Sequence, residues 1–74
     1  MILKLTNVSG KHQGKSILIN MNYIISAYED EIDDKPVTIL YSKTQESWHV
    51  AEKLSVIHNQ IKKETVIKIN ETVR

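Results

Sequence analysis

Three histidines, His12, His49 and His58, are the residues of this 74-residue sequence best suited to binding a metal ion or transferring a proton. A helical metal site usually needs two histidines one turn apart, and structural zinc sites add cysteine ligands. No two of these histidines have that spacing, and the sequence contains no cysteine. We therefore predict surface or partly buried histidines, with no metal site and no cofactor.

A second candidate site is an acidic block in which five of six consecutive residues carry a carboxylate. The block consists of Glu29, Asp30, Glu31, Asp33 and Asp34. Carboxylate oxygens bind divalent cations, but the glycine and the distal glutamate of a calcium-binding loop are missing. The remaining interpretations are a solvated loop that discourages strand pairing and a surface that binds a protein partner. We expect a loop over residues 30–36, closed by Pro36, and name the five carboxylates as candidate partner-binding residues.

Residues 10–16 end in Gly14-Lys15-Ser16 and so resemble a phosphate-binding loop. The true motif has a longer spacing between its glycines than Gly10 and Gly14 show, and it opens a helix. The residues that follow here alternate like a strand instead. No serine lies in the Gly-x-Ser-x-Gly pattern of a nucleophile elbow either. The sequence thus favours a protein that neither binds nucleotide nor catalyses a reaction.

An alternative function is the binding of RNA or DNA through lysines and exposed tyrosines. The candidate lysines are Lys4, Lys11, Lys15 and Lys43, and the aromatic residues are Tyr23, Tyr28, Tyr41 and Trp48. Aromatic rings stack on unpaired bases, and lysines neutralise phosphates. The formal net charge is only +1, whereas nucleic-acid-binding domains usually carry a clear basic excess. Charge argues against this class without excluding it.

The elements that position these residues begin with three predicted strands. Residues 1–7 and residues 15–19 alternate between apolar and polar side chains, and both glycines lie in the loop between them. Residues 23–29 form the third predicted strand. Because Ile24 and Ile25 are adjacent there, one isoleucine must face outward unless a bulge intervenes.

The clearest predicted unit is a hairpin followed by a helix. Strands at residues 37–42 and 47–50 flank a polar turn at residues 43–46. With that turn, the side chains of Tyr41 and Trp48 lie on the same face of the hairpin as its apolar residues. We predict that both rings belong to the core and pack on the helix.

A helical stripe follows, because Leu54, Ile57 and Ile61 are spaced to lie on one face. This spacing predicts a helix over residues 52–63. The next residues alternate with period two, which favours a sixth strand. A flexible or partner-exchanged tail over residues 65–74, and a continuation of the helix, stay open as alternatives.

The length of the chain fits one domain, residues 1–74. A chain this short has a marginal core, and without disulfides its most plausible extra support is self-association. Neither a membrane-spanning segment nor the apolar core of a signal peptide is present. We expect a cytoplasmic homo-oligomer. Abundant isoleucine and lysine are typical of AT-rich coding sequences, which favours a low-GC bacterium or one of its phages.

The order of elements resembles that of the small FlbD-like proteins encoded in flagellar operons and in phages. The resemblance covers about residues 1–61 and is carried by Asn7-Val8-Ser9-Gly10, Asn20, Tyr23-Ile24, Val37-Thr38-Ile39-Leu40, Trp48-His49-Val50 and the stripe Leu54, Ile57 and Ile61. It implies a small β-rich adaptor and assigns no catalytic residue. The chain is also similar in size and element order to the carbon-storage-regulator RNA binders, although Trp48-His49-Val50-Ala51 stands where those proteins carry an arginine-containing segment.

Together these patterns predict an α+β fold, a small, mostly antiparallel, curled sheet of five or six strands packed on one C-terminal helix. The predicted function is a non-catalytic protein–protein interaction module, a phage-encoded accessory protein or a flagellum-associated adaptor. Its binding surface would be the acidic block or an exposed sheet edge. The alternative is a small regulatory protein that binds RNA or DNA.

Overall fold

A computed structural model describes the backbone of residues 1–73 and the side chains of residues 1–63. This part of the chain forms five strands and one α-helix, in the order β1 (Ile2–Thr6), β2 (Ser16–Asn20), β3 (Ile24–Ile32), β4 (Lys35–Ser42), β5 (Ser47–Val50) and α1 (Leu54–Val73). Short 3-10 turns at Gly10–His12 and Met21–Tyr23 connect the first strands. All strand pairings are antiparallel, so the predicted α+β class is confirmed.

The expectation of one curled sheet is wrong, because the strands form two sheets. One sheet contains β1 and β2, and the other has the order β3-β4-β5. A backbone bridge between Asn7 and Val50 joins them where β1 ends beside β5. The Ala51 N–H donates to the Thr6 carbonyl at 2.9 Å, and the Val8 N–H donates to the His49 carbonyl at 2.9 Å. Beyond this junction, buried side chains of the two sheets pack together in one core.

The β1–β2 hairpin follows the predicted alternation. Leu3 pairs with Ile19, and both side chains are buried, as is Leu5. Gly10 and Gly14 have φ angles of 68° and 85°, so the connecting loop needs residues that tolerate the left-handed region. Two short hydrogen bonds between Asn7 and the loop, to Gly14 and Lys15, close it.

The register of the β4–β5 hairpin differs from the prediction by one residue. The Ser42 N–H donates to the Glu46 carbonyl, and Gln45 has φ of 67°, so the loop has three residues and ends in a left-handed one. Trp48 therefore pairs with Leu40 rather than with Tyr41. A shift of one residue moves a whole strand face to the opposite side of the sheet. Tyr41 faces away from the core and is 39% exposed, so its predicted core role is wrong.

Helix α1 begins later and ends later than the predicted span of residues 52–63. The Lys53 carbonyl accepts hydrogen bonds from the amides of Val56 and Ile57, which starts the helix after Lys53. Its end at Val73 makes the expected sixth strand wrong and the helix continuation correct. No glycine or proline occurs between Leu54 and Val73, so nothing in the sequence stops the helix. The last residue, Arg74, lies outside the described residues.

The core is built from both sheets and the first turns of α1. Its buried members are Leu3, Leu5, Ile19, Leu40, Val50 and Ile57. Trp48 is half-buried and packs against this cluster, as predicted. On the opposite face of the three-stranded sheet, Tyr28 and Tyr41 meet edge to face with ring centroids 5.8 Å apart.

Glu52 connects the segment before α1 to β1. One carboxylate oxygen accepts from the Thr6 N–H at 2.8 Å, and the other accepts from the Thr6 hydroxyl at 3.0 Å. The Thr38 hydroxyl, which is buried, donates to the Glu52 carbonyl at 2.6 Å. These bonds hold β1, β4 and the start of α1 together, and so set the position of the helix over the sheets.

Candidate functional site

The acidic block lies in a β-hairpin rather than in the loop expected over residues 30–36. Strand β3 continues to Ile32 and β4 starts at Lys35, so only Asp33 and Asp34 form the turn. Their φ angles are 52° and 64°, and two consecutive positive values match the tightest hairpin turns. Pro36 pairs with Glu31 inside the ladder, which is allowed near the end of a strand. The prediction of a loop was wrong because aspartates at both turn positions are an uncommon hairpin signal.

The end of this hairpin projects beyond the rest of its sheet. Pairing between β4 and β5 stops at Thr38 and Val50, so residues 29–37 form a two-stranded extension, here named the acidic ribbon. All five carboxylates of the block are exposed. Together with Lys35, the ribbon has a formal charge of −4, from five acidic groups and one basic group. Unlike the expected loop, the ribbon presents these charges on an ordered hairpin.

The carboxylates of the ribbon alternate between the two faces of β3. Glu29 and Glu31 lie opposite Thr38 and Pro36, whereas Asp30 lies opposite Val37 on the other face. A recess of about 410 Å³ lies between the ribbon and the segment that precedes α1, which contributes Lys53. The structure thus brings the predicted acidic residues together and leaves both faces accessible.

A larger apolar groove of about 730 Å³ lies between β3 and the first turns of α1. We name it the β3–α1 groove. Its apolar lining includes Met1, Met21, Ile24, Ile25, Leu54 and Ile61. Pairing shifts between Ile24 and Ser26, so a bulge, which the sequence left open as an alternative, is present, and Ile25 is 66% exposed. Exposed aliphatic surface of this kind in a concave site is typical of binding surfaces.

The groove has two different ends. At one end Glu29 joins the lining, and the neighbouring recess places Glu29 beside Lys53, at the start of α1. At the other end α1 reaches Ile61 and is followed by the exposed Lys62 and Lys63. Helix α1 therefore runs opposite to β3, with carboxylates near its first turn and lysines after its second.

The four lysines proposed to bind nucleic acid do not share one patch. Lys11 and Lys15 lie in the loop at one end of the β1–β2 hairpin. At the opposite end, the Lys43 ammonium lies 5.9 Å from the centre of the Tyr23 ring, and the Lys43 amide donates to the Tyr23 carbonyl. Lys4 is exposed between these ends, opposite Leu18. The lysines are therefore spread along the hairpin.

The three histidines lie on separate elements. His12 is exposed in the first 3-10 turn, His49 is half-buried in β5, and His58 is exposed on α1, where it lines the β3–α1 groove. Among the described side chains, no group of three or more histidine, aspartate or glutamate residues lies close enough to hold a metal ion. The glycine loop leads into strand β2, whereas a phosphate-binding loop would lead into a helix.

The sequence reasoning missed the β3–α1 groove. It assigned Leu54 and Ile61 to the core, but both are only half-buried, and only Ile57 between them belongs to the buried cluster. The usable signal was the pair Ile24-Ile25 within a predicted strand, since one of them had to face outward unless a bulge intervened. The position of that outward side chain beside α1 depended on tertiary packing.

No family model, curated protein or solved structure matches this chain. The resemblances to the FlbD-like proteins and to the carbon-storage regulators therefore stay predictions. In the described part of the chain, no helix has the length and apolar composition needed to cross a membrane.

Proposed function

We propose that this protein is a non-catalytic protein–protein interaction module that binds a basic, extended segment of a partner along the acidic ribbon. The observation that carries the proposal is the position of the five carboxylates on an ordered hairpin, with Glu29, Asp30 and Glu31 on the edge strand β3 and Asp33 and Asp34 in its turn. Within the described residues, β3 pairs with β4 alone. Edge strands accept an added strand through their backbone groups, and the side chains on either face determine which sequences fit.

The charge of the ribbon defines the chemistry of this partner. Because Glu29 and Glu31 occupy one face and Asp30 the other, an added strand meets carboxylates on both faces. Lysines or arginines at successive positions of that strand would each find an opposite charge. The same carboxylates disfavour pairing between two copies of the ribbon, since like charges placed opposite each other are destabilising. The ribbon therefore favours a basic partner over self-pairing.

The proposal is tested with a lysine-rich peptide of about ten residues, the upper end of the usual strand length, in which pairs of successive lysines alternate with valine or threonine, so that both faces of the added strand carry charge. Binding is measured by fluorescence anisotropy for the wild type and for a variant combining Asp30→Asn, Asp33→Asn and Asp34→Asn. Exposed ion pairs contribute about 0.5 kcal/mol each, so losing three should weaken binding roughly tenfold. Asparagine tolerates positive φ, so the variant should fold normally.

The matched control is Glu46→Gln, which removes an exposed carboxylate from the other hairpin turn and should leave peptide binding unchanged. Equal binding by the triple variant and the wild type would rule out the ribbon. The competing nucleic-acid function predicts a gel shift of single-stranded RNA or DNA at about 50 mM salt that disappears as salt increases. Such a shift, lost on replacing Lys11 and Lys15 with glutamine, would favour that function instead.

A further inference from the structure

The shape of the molecule leaves more surface exposed than one small domain needs. The chain exposes 5756 Å², whereas a compact monomer of 8.5 kDa exposes about 4,650 Å² by the usual scaling of surface with mass. The excess, about 1,100 Å², belongs to the whole chain and exceeds the roughly 800 Å² that each partner buries in a typical stable interface. The molecule measures 48 × 24 × 20 Å, which is elongated for its size.

Part of this surface is the apolar β3–α1 groove. Ile25 is largely exposed at its rim, and the side chains of Leu54 and Ile61 are only half-buried along its helical wall. Two methionines, Met1 and Met21, lie in the lining, and methionine adapts its shape to an incoming surface. These residues can bury further apolar area only if something fills the groove.

We propose that the β3–α1 groove is the interface of a homodimer, in which α1 of a second copy lies antiparallel to the first α1 and covers the groove. A twofold axis places the same surface of both copies in contact. His58 lies midway between Leu54 and Ile61 on the helical wall, so the axis would pass near it. The half-buried stripe of each helix would then face the groove of the other copy.

The charges at the two ends of the groove favour this arrangement over a parallel one. Glu29 lies at the end where α1 starts, and Lys62 follows the other end. Lys62 is one helical turn after His58 and so lies on the groove side of α1. In an antiparallel pair, Lys62 of each copy approaches Glu29 of the other, which gives two favourable charge pairs. A parallel pair would place like charges at both ends.

The two proposals share Glu29, so they are tested separately by variants that leave Glu29 unchanged. Asp30, Asp33 and Asp34 do not line the β3–α1 groove. The triple asparagine variant should therefore stay dimeric. A variant with a blocked groove should in turn keep its affinity for the lysine-rich peptide.

The mass of the full chain in solution tests the dimer, measured by light scattering and by sedimentation over a range of concentrations. We expect twice the monomer mass of 8.5 kDa. Ile25→Asp places a charge in the apolar contact and should produce monomers. Because Ile25 is exposed in a bulge, circular dichroism and Trp48 fluorescence should show an unchanged fold. Leu18→Asp is the matched control, since Leu18 is 70% exposed on β2 outside the groove.

Charge reversal tests the antiparallel orientation. Glu29→Lys and Lys62→Glu should each weaken dimerisation about tenfold, since each change converts two attractive rim contacts into repulsive ones. The double variant should restore most of the affinity. A second test uses the absence of cysteine from the wild type: His58→Cys should form an intermolecular disulfide under mild oxidation, and Leu18→Cys should not.

A monomeric mass at the highest concentrations would overturn the proposal, as would a dimer that is insensitive to Ile25→Asp. A monomer that binds an apolar dye, with binding lost in Ile25→Asp, would overturn it as well and assign the groove to a small ligand. Failure of the double charge reversal to restore affinity would overturn the antiparallel orientation.

Discussion

The Glu52 carboxylate is the contact whose removal tests the architecture most directly. It joins residues that are 46 positions apart in sequence, since both of its oxygens accept hydrogen bonds from Thr6. Replacing it with alanine leaves the Thr6 amide and hydroxyl without their partner in a partly buried site. Hydrogen bonds to charged groups each contribute about 1.5–3 kcal/mol, and the partial exposure of Glu52 lowers that value. We expect Glu52→Ala to reduce the free energy of unfolding by about 2 kcal/mol.

Urea denaturation followed by Trp48 fluorescence measures this loss, because Trp48 is the only tryptophan and packs against the core. With a slope of about 1 kcal/mol per M for a small domain, the midpoint should fall by about 2 M. The melting temperature should fall by roughly 8–16 °C. Glu52→Gln keeps an acceptor for the Thr6 amide and should lose about half as much.

Glu46→Ala is the matched control for this series. Glu46 accepts one bond from the Thr44 hydroxyl at an exposed turn, so its replacement should change stability by less than about 0.5 kcal/mol. If Glu52→Ala is no more destabilising than Glu46→Ala, the contact between the segment before α1 and β1 does not hold the fold together. The assigned role of Glu52 would then be refuted.

Two further changes probe the core and the ribbon turn. Leu40→Ala, at a fully buried position (0% exposed), should cost about 3–4 kcal/mol in the same urea experiment, and a loss as small as that of Leu18→Ala would contradict the assigned core. Asp34→Gly should stabilise the protein by about 1 kcal/mol, because φ of 64° is strained for residues with a Cβ and natural for glycine. An unchanged or lower melting temperature would show that this turn is not strained.

Local patterns were sufficient to place most of the elements. The alternation of residues 1–7 and 15–19 located β1 and β2, and the stripe at Leu54, Ile57 and Ile61 located the start of α1 to within two residues. These signals succeed because strand and helix periodicity are properties of neighbouring residues. The adjacent pair Ile24-Ile25 indicated either an outward-facing isoleucine or a bulge, and the structure has both.

The same local patterns failed to predict the geometry of two turns. A left-handed Gln45 shortened the predicted turn of residues 43–46 to three residues and moved Tyr41 to the outer face. Two left-handed aspartates, Asp33 and Asp34, converted a predicted loop into a strand turn. A glycine in the sequence indicates that positive φ is possible, whereas glutamine and aspartate do not give this signal. Pairing between the flanking strands therefore had to determine the backbone conformation of these residues.

At the C-terminal end of the chain, the local sequence pattern was ambiguous. The alternation after residue 64 fitted a strand as well as a helix, because apolar runs this short do not distinguish the two periods. Once α1 had started on the sheets, adding residues to its end required no new nucleus, and no proline or glycine interrupted it. The helix therefore continued to Val73.

By itself the sequence determined the α+β class, the approximate positions of the strands and the clustering of five carboxylates. Only the tertiary structure decided that these carboxylates lie on a two-stranded ribbon at the edge of a sheet, and that Ile25, Leu54 and Ile61 share an open groove. The physical reason is that a residue's local preference sets the direction of its side chain relative to its own element. What lies opposite that side chain depends on contacts such as Glu52 with Thr6, which join distant parts of the chain.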